Sequence, residues 1–330
     1  MSSAIPKTQT AVQIEAYGGV EVLQLKKDAP VPEIKPTELL IKNEYAGINF
    51  IDIYFRNGLY SVPAFPYTLG REAEGRVAAI GDSVTGYKVG DRVAYIGASA
   101  QAEYTALEPL HVAQVPAGVE GGVAAASLLQ GLTALTMVRE SYPVQKGDFI
   151  LVHAAAGGVG LWLCQFVRAI GAYAIATAST DKKLQLAKEN GAEFTINYST
   201  EDWVSRVLEI TGKKGVAAVF DGVGASTFEG DLEVLARKGS LVSFGNASGP
   251  VPPFAIARLA AKNLKVLRPQ LFGYIVTREE FESYAGEILE LIAAGKVNVK
   301  IHEVYPLADV ARAQTDIESR GTTGKLILKI

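Results

Sequence analysis

The stretch FILVHAAAGGVGLWLCQFVRAIG, residues 149–171, decides the fold of this chain. Its first four residues are apolar and predict a buried strand, and small residues follow up to Gly160. Residues 159–170 are apolar around most of a helix, and Gly171 is a suitable helix stop. The stretch therefore predicts a strand, a glycine turn and a helix in succession.

Such a turn is typical of dinucleotide-binding folds. Gly157 lets the backbone approach a pyrophosphate, and Gly160 lets the helix lie close to the strand. The N–H groups that open the helix then meet the phosphates. Ala155 replaces the usual first glycine, so a tight turn without a ligand is the alternative. The residues that we predict to bind the cofactor here are Ala156, Gly157, Gly158 and Val159.

The composition limits the class of protein. The 330 residues are 48% hydrophobic, which is enough for a substantial core, and the net charge of −3 gives no general attraction to nucleic acid or anionic membranes. The single cysteine, Cys164, excludes an intramolecular disulfide framework and a cysteine-rich zinc site. We find no apolar segment of signal-peptide or membrane-spanning type. These features predict a soluble, cytoplasmic protein without a membrane partner.

The N-terminal part of the chain, residues 1–126, is predicted to be rich in β-strands. Pro and Gly separate many short segments of strand character, and only Asn49–Arg56 predicts a helix, which Asn49 can cap. This pattern indicates a barrel-like or irregular β domain. The strand candidates are Thr10–Glu15, Val22–Lys26, Leu39–Tyr45, Gly75–Ile80, Arg92–Ile96, Ala102–Leu107 and Val112–Val115.

The pattern changes after a boundary region at Gly118–Gly122. Residues 123–140 predict a helix, and strands and helices then alternate, which predicts a doubly wound parallel sheet. The predicted strands are 149–154, 173–178, 193–197, 216–220 and 240–244, with an edge strand at 263–267, and the predicted helices are 159–170, 181–190, 201–211 and 226–237.

The last sixty residues return to mixed elements, with helices at 278–294 and 307–318 and strands at 298–305 and 325–330. The terminal strand needs a sheet to join. Because the dinucleotide-binding segment already has its strands, we expect the terminal strand to join the N-terminal β domain.

The end of the second parallel strand indicates which dinucleotide binds. An acidic residue about twenty positions after the glycines usually binds the ribose of NAD, but Ala178 and Ser179 occupy that place here. Ser179 can donate to a 2′-phosphate, and Lys182 can neutralise it. The alternative makes Asp181 the ribose acid, although a carboxylate at a helix start is stabilised without any ligand. We therefore predict NADPH as the cofactor.

Nine motifs spread over nearly the whole chain carry a family resemblance. They are GINFIDIYFRNGLY (47–60), LGREAEG (69–75), GDRVAY (90–95), QGLTAL (130–135), AAAGGVG (154–160), FDGVG (220–224), VSFGNASG (242–249), LRPQLFGYI (267–275) and IESRGTTGKLIL (317–328). Through them the chain resembles the medium-chain dehydrogenase/reductase superfamily, and within it the zinc-independent quinone oxidoreductases of the zeta-crystallin type. This resemblance implies a GroES-like catalytic domain at 1–126 and 271–330 and an NADPH-binding Rossmann domain at 127–270.

Two positions depart from the zinc alcohol dehydrogenases of that superfamily. Asn49 stands where those enzymes carry a cysteine, and Arg71 where they carry a histidine. A permanently charged guanidinium has no lone pair for zinc, and the cysteine-rich structural loop is also missing. The three histidines lie far apart in sequence, and His153 falls in the buried strand, where a core role is expected. We therefore predict no metal site.

The resemblance also implies functional residues. Asn49, Tyr54 and Tyr60 are the implied catalytic donors, although Tyr54 also fits ordinary helix packing. Gly222 stands where relatives commonly have serine, and Arg320 also fits the end of helix 307–318. The implied cofactor contacts, beyond the glycine turn, are Asn49, Thr133, Ser179, Lys182, Tyr198, Phe244, Gly245, Ser248, Arg320 and Lys325.

The predicted function is NADPH-dependent reduction of ortho-quinones without a metal. Quinones are electron-poor, so holding one against a nicotinamide supplies most of the effect. The resemblance implies one-electron transfer to a semiquinone and a homodimer joined through the nucleotide domains. Two alternatives stay open: reduction of a 2-alkenal or enone, with Tyr60 as the acid, and binding of AU-rich RNA, which the family suggests but no basic cluster supports.

Overall fold

The computed structural model describes residues 5–330 and divides them into two compact units. Unit 1 contains the residues up to Leu129 together with Thr277–Ile330, and unit 2 contains Gln130–Val276. No helix within residues 5–330 has the length and apolar character that crossing a bilayer requires.

Strands and helices alternate in unit 2, whereas strands dominate unit 1. The strands are β1 (Thr8–Ile14), β2 (Gln24–Pro30), β3 (Leu39–Ile48), β4 (Tyr67–Thr68), β5 (Glu72–Ile80), β6 (Arg92–Ile96), β7 (Tyr104–Leu107), β8 (Val112–Gln114), β9 (Phe149–Val152), β10 (Tyr173–Ala178), β11 (Phe194–Asn197), β12 (Val216–Asp221), β13 (Leu235–Ser243), β14 (Lys265–Leu267), β15 (Ile301–Pro306) and β16 (Lys325–Lys329). The α-helices are α1 (Phe50–Arg56), α2 (Leu128–Thr136), α3 (Gly158–Ile170), α4 (Asp181–Glu189), α5 (Trp203–Ile210), α6 (Phe228–Val234), α7 (Arg278–Ala293) and α8 (Val310–Glu318).

Unit 2 is a parallel sheet of six strands in the order β11-β10-β9-β12-β13-β14. This is the 3-2-1-4-5-6 order of the dinucleotide-binding fold, in which ligands bind at the carboxyl ends of the central strands. Leu151, Ile175, Val219 and Leu241 on four adjacent strands are fully buried in its core. The predicted α/β fold with a doubly wound sheet is confirmed.

Unit 1 is built on a seven-stranded sheet. Its path runs β15-β16-β3-β5-β6-β8, with β7 also paired to β3, and a three-stranded sheet β2-β1-β4 accompanies it. The terminal strand β16 pairs antiparallel with β3, which confirms the expectation that it joins the β-rich part of the chain. Ile41, Tyr95 and Tyr305 are fully buried in the shared core.

Several predicted bounds are wrong at the ends of elements. The helix predicted at 226–237 is only Phe228–Val234, because β13 begins at Leu235 and pairs with Val216. The helix predicted at 123–140 is α only over Leu128–Thr136 and continues as a π-turn over Met137–Ser141. The start of the helix predicted at 307–318 is a 3-10 turn, Leu307–Asp309. At Leu235 strand pairing thus overrides the local helix preference.

Candidate active site

The glycine turn of unit 2 begins where β9 ends. Ala154 has a left-handed backbone with φ of 49°, and the Gly157 N–H donates to its carbonyl over 2.9 Å. A Cβ on Gly160 would lie 2.5 Å from the Ala154 carbonyl oxygen and 2.7 Å from the Cα of Ala155. A Cβ on Gly157 would meet only that carbonyl oxygen, at 3.1 Å. Gly160 thus permits close packing of α3, and Gly157 leaves the surface of the turn open.

The residues around the helix start are suited to an anion. Gly157 is the N-cap of the thirteen-residue helix α3, whose first turn contains no acidic residue. Gly157, Gly158 and Val159 are partly exposed, whereas Ala156 is buried. Backbone N–H groups and the helix dipole at this end favour negative charge. The residues present therefore fit a pyrophosphate.

The end of β10 carries the residues predicted to select the coenzyme. Lys182 is exposed on the first turn of α4, and no carboxylate in the described part of the chain pairs with it. Ser179 is half-exposed, and Tyr198, 43% exposed, donates its N–H to the Ala178 carbonyl. Asp181, the alternative ribose acid, accepts a hydrogen bond from Asn197 Nδ2 over 2.8 Å.

The loops after β12 and β13 lie against each other. The N–H of Phe244 donates to the Asp221 carbonyl over 2.8 Å, and a Cβ on Gly222 would lie 2.9 Å from the Phe244 ring. The Ser248 hydroxyl donates to the Val223 carbonyl over 2.8 Å. The glycine at 222 therefore fits the ring of Phe244, because a serine there would displace it.

Sequence reasoning missed two residues that hold these loops. The Asp221 carboxylate accepts from the N–H groups of Val223 at 2.7 Å and Gly224 at 3.0 Å. Arg268 donates to the carbonyls of Ser243 at 3.0 Å and Gly245 at 3.1 Å. The aspartate at the end of a strand before a glycine gave a usable signal, whereas nothing in the sequence linked Arg268 to this loop.

His153 is buried in unit 2, as predicted, with both ring nitrogens hydrogen-bonded. Nδ1 lies 2.8 Å from the Thr177 hydroxyl, and Nε2 lies 2.8 Å from Oδ1 of Asp231. Burial opposes the charged imidazole, but the Asp231 carboxylate outweighs burial and raises the pKa of His153. Burial raises the pKa of Asp231 to about 6. This arrangement fits a satisfied core histidine.

In unit 1, three buried polar side chains meet at the start of α1. Lys325 Nζ donates to Asn49 Oδ1 over 2.6 Å and pairs with Glu72, and Asn49 Nδ2 donates to Glu72 Oε1 over 2.8 Å. The second oxygen of Glu72 accepts from the Leu129 N–H over 2.8 Å. The relative exposures are 4% for Asn49, 0% for Glu72 and 1% for Lys325. Both ends of the Asn49 amide are therefore fixed by a buried ion pair.

Two of the implied catalytic residues are in ring contact. Tyr54 on α1 is 8% exposed, and its ring meets that of Tyr60 edge-on at 5.3 Å. Tyr60 also meets Phe55 at 5.7 Å and donates its N–H to the Tyr54 carbonyl. Tyr60 is half-buried and accessible, whereas the burial of Tyr54 supports the packing role left open above.

The remaining predicted contacts are more scattered. Thr133 is half-buried on α2 of unit 2. Arg320 is exposed in unit 1 just after α8, with a left-handed backbone (φ 59°) and its N–H 3.4 Å from the Ile317 carbonyl. That geometry fits the helix-end alternative. The Lys325 ammonium donates hydrogen bonds to Asn49 and Glu72 inside unit 1, so its predicted role at the cofactor stays a prediction.

A metal would find poor ligands here. Within residues 5–330, no three His, Cys, Asp or Glu side chains converge to hold a metal ion. The amide oxygen of Asn49 already accepts from the Lys325 ammonium, which would repel a cation. The Arg71 guanidinium stacks on the Phe55 ring with its Cζ 3.9 Å from the centroid.

Comparisons with known proteins agree with this architecture. Residues 35–139 match the family model "Alcohol dehydrogenase GroES-like domain", and residues 158–293 match "Zinc-binding dehydrogenase". A probable quinone oxidoreductase of Schizosaccharomyces pombe is 46% identical over 320 residues, covering 96% of each chain. A 2-haloacrylate reductase of a Burkholderia species is 32% identical, covering 89% of this chain and 91% of its own.

The solved structures give the same assignment. The quinone oxidoreductase of Escherichia coli, whose crystal structure is a complex with NADPH, superimposes with a TM-score of 0.94 at 42% identity. The match covers 97% of this chain and 100% of that one. Together with the sequence identity over nearly the full length, this similarity shows that the chain belongs to the quinone oxidoreductase family of the medium-chain dehydrogenase/reductase superfamily.

Proposed function

We propose that this enzyme oxidises NADPH and reduces ortho-quinones without a metal. The observation that carries the proposal is the glycine turn at Gly157 in unit 2, where a helix begins without an acidic residue in its first turn and without a side chain on its N-cap. The S. pombe and E. coli relatives are named quinone oxidoreductases, and the E. coli structure holds NADPH. In our proposal the turn binds the pyrophosphate through Ala156, Gly157, Gly158 and Val159.

The choice of NADPH over NADH is supported by the end of β10. Lys182 offers an unpaired ammonium and Ser179 a hydroxyl, and a 2′-phosphate needs both charge and donors. Asp181, which would repel such a phosphate, has one carboxylate oxygen engaged by the Asn197 amide. Tyr198 is exposed nearby and supplies a further hydroxyl and a ring face.

We propose that the reaction needs no metal, and the buried group of Asn49, Glu72 and Lys325 supports this. The Lys325 ammonium, paired with Glu72, already occupies the amide oxygen of Asn49 that a metal would need as a ligand. A quinone does not need the Lewis acid that alcohol oxidation uses, because it is already electron-poor. Neutral donors such as the Asn49 amide and the Tyr60 hydroxyl suffice to meet charge that develops on the quinone oxygen.

Reduced nicotinamide supplies the electrons in this proposal, and this chain's residues orient the acceptor. Asn49 is held in one orientation by Lys325 and Glu72, so in this proposal its second Nδ2 hydrogen is offered to the acceptor without a further loss of side-chain freedom. Tyr60 offers a ring for a flat acceptor and a hydroxyl for its oxygen. One-electron transfer, which gives the semiquinone of the substrate, is the proposed mode.

The test compares the two coenzymes in steady state with 9,10-phenanthrenequinone as acceptor, with electron spin resonance for the semiquinone and elemental analysis for zinc. We expect NADPH oxidation that far exceeds NADH oxidation, a semiquinone signal and less than one tenth of a zinc atom per chain. Equal rates with NADH, or stoichiometric zinc that is needed for activity, would contradict the proposal. A missing semiquinone signal would refute only the one-electron mode.

A second function, reduction of an activated alkene, is supported by the similarity to the 2-haloacrylate reductase. Hydride would be added to the β-carbon, and a proton would be needed at the α-carbon. Tyr60 is the accessible hydroxyl in unit 1 that fits this role. A higher kcat/KM with a 2-alkenal than with the quinone, lost in Tyr60→Phe, would favour this second function.

We also propose a cytoplasmic homodimer that associates through unit 2. The six-stranded sheet ends at β14, an edge that pairs with β13 on one side. Leu267 on this strand and Ile256 before it are 37% and 79% exposed. Among residues 5–330, β14 pairs with β13 alone, and an exposed strand edge with apolar residues favours pairing with another chain.

A further inference from the structure

Arg71 of unit 1 lies on an aromatic cluster, and most of its donors make no hydrogen bond to residues 5–330. Its guanidinium stacks on the Phe55 ring, with Cζ 3.9 Å from the centroid, and Nη2 donates to the Tyr67 hydroxyl over 3.1 Å. The residue is half-buried. Of its five N–H donors, one is used by this bond. The side chain is therefore held in place by stacking but open to an acceptor.

This arrangement differs from that of the other arginines around it. Five further arginines of unit 1 each pair with a carboxylate, whether buried or exposed: Arg56 with Glu318, Arg76 with Glu44, Arg92 with Glu74, Arg278 with Glu282, and Arg312 with Glu303. Arg71 has no ion pair within residues 5–330. The Asp52 carboxyl is close enough to feel the charge of Arg71, but the two make no ion pair within residues 5–330. The guanidinium therefore keeps donors for a ligand that supplies an acceptor.

The position of Arg71 connects it to Tyr60. Phe55 meets Tyr60 at 5.7 Å and Tyr67 at 6.1 Å, so one ring carries the guanidinium together with the tyrosine that the proposed function places at the substrate. The Asn49 N–H donates to the Asp52 carboxyl over 2.8 Å. Burial raises the pKa of that carboxyl, and the charges of Lys325 and Arg71 both oppose the rise, so both cations lie near it. The guanidinium, Tyr60 and Asn49 thus belong to one neighbourhood of unit 1.

We propose that Arg71 is a specificity-determining residue that donates two parallel hydrogen bonds to the adjacent carbonyl oxygens of an ortho-quinone. A guanidinium is a planar fork that suits two neighbouring acceptors, which an ortho-quinone presents on one edge and a para-quinone does not. This inference rests on the proposed function, whose substrate class it explains.

The reaction balances without a further reactant. NADPH and one solvent proton convert one quinone to a hydroquinone and NADP⁺, or NADPH converts two quinones to two semiquinone anions with release of NADP⁺ and one proton. In both cases negative charge develops on the acceptor oxygens. Arg71 keeps its own proton throughout and stabilises that charge by hydrogen bonding.

The test measures kcat/KM for 9,10-phenanthrenequinone and for 1,4-naphthoquinone with NADPH. Arg71→Met keeps an apolar contact on Phe55 but removes the donors, and we expect kcat/KM for the ortho-quinone to fall about 10–100-fold. The para-quinone value should fall by no more than about 3–10-fold, the square root of that factor, because it loses at most one of the two hydrogen bonds. Arg71→Lys should keep part of the rate but lose the preference, since it restores charge without the fork.

The control is Arg76→Met, which removes an exposed arginine that is already paired with Glu44 and should leave both values unchanged. The dissociation constant of NADPH should not change in any variant. If Arg71→Met is poorly folded, Arg71→Lys tests the inference through the ratio of kcat/KM for the ortho-quinone to kcat/KM for the para-quinone. A ratio equal to that of the wild type overturns the inference. If the wild type is active and Arg71→Met lowers kcat/KM equally for both quinones, the inference is also overturned. A wild type that reduces neither quinone instead refutes the proposed function.

Discussion

Lys325 Nζ donates to Asn49 Oδ1 over 2.6 Å, joining two residues 276 positions apart in the chain. The same ammonium pairs with Glu72, and all three side chains are buried. A buried ion pair is costly to form and costlier to break, because the charge that remains has neither water nor a partner. The start of α1 is therefore tied to the terminal strand β16 through charge as well as through the sheet.

Removing the ammonium should destabilise the protein. Lys325→Met leaves the Glu72 carboxylate buried without its counter-ion, and we expect a loss of about 3–5 kcal/mol in the free energy of unfolding, measured by urea denaturation. Lys329→Met, on the exposed end of the same strand, is the control and should change little. The double variant Glu72→Gln/Lys325→Met should be more stable than Lys325→Met alone, and an equal loss in both would refute the pairing.

Two glycines of the turn should respond differently to alanine. Gly160→Ala puts a Cβ against Ala154 and Ala155, so unfolding free energy should fall by about 1–3 kcal/mol. Gly157→Ala meets one carbonyl oxygen and should change stability little, but its methyl group would occupy the proposed pyrophosphate site. We expect about 10-fold weaker NADPH binding by fluorescence titration. Unchanged affinity in a folded Gly157→Ala protein would argue against a ligand at this turn.

Lys182 should set the preference for NADPH. Lys182→Ala removes an exposed ammonium, and we expect the KM for NADPH to rise about 10-fold while the KM for NADH stays constant. The matched control is Lys188→Ala, an exposed lysine in the last turn of the same helix. A parallel rise of both KM values, or none, would show that Lys182 does not contact a 2′-phosphate.

Asp52 should make stability depend on pH. Burial raises the pKa of its carboxyl from 3.8 to about 7, although the Asn49 N–H donates to it. A folded pKa above the unfolded one gives stability that is complete below pH 3.8 and is lost as pH rises towards 7. Relative to Asp52→Asn, the wild type should lose about 3 kcal/mol of unfolding free energy between pH 5 and pH 8. Parallel pH profiles for the two proteins would contradict the shift.

The edge strand β14 should control oligomeric state. Light scattering on the wild type should give twice the mass of one chain, and Leu267→Glu should give the monomer, because it puts a charge on the proposed interface. Val304→Glu changes a similarly exposed apolar residue on β15 of unit 1 and should stay dimeric. A monomeric wild type would refute the dimer proposal.

Much of the fold was predictable from local patterns. The apolar run at 149–152, the small turn residues and Gly171 predicted β9 and α3 almost to the residue, and Arg92–Ile96 is a strand with the predicted bounds. Helix ends next to a strand were predicted less well. Leu235 extends β13 because Val216 pairs with it, and a distant partner leaves no trace in local periodicity.

In the candidate site, individual residues were predictable but the contacts between them were not. Asn49 and Lys325 were predicted as separate contacts through the family resemblance, and neither spacing nor composition joined them to Glu72. Arg71 was recognised only as a residue that zinc cannot use, and its stacking on Phe55 depends on how β5 follows the loop after α1. Such pairs are set by the tertiary structure, because they join side chains from separate segments of the chain.

By itself the sequence determined the order of strands and helices, the glycine turn and the residue types that disfavour a metal, since each depends on neighbours within a few positions of the chain. Only the tertiary structure decided which polar groups are buried together and which donors stay unused, as in the pairing of Lys325 with Asn49 and Glu72 and the open fork of Arg71. The reason is physical: the energy of a charge depends on its burial and on its partner, and the packing of distant segments sets both.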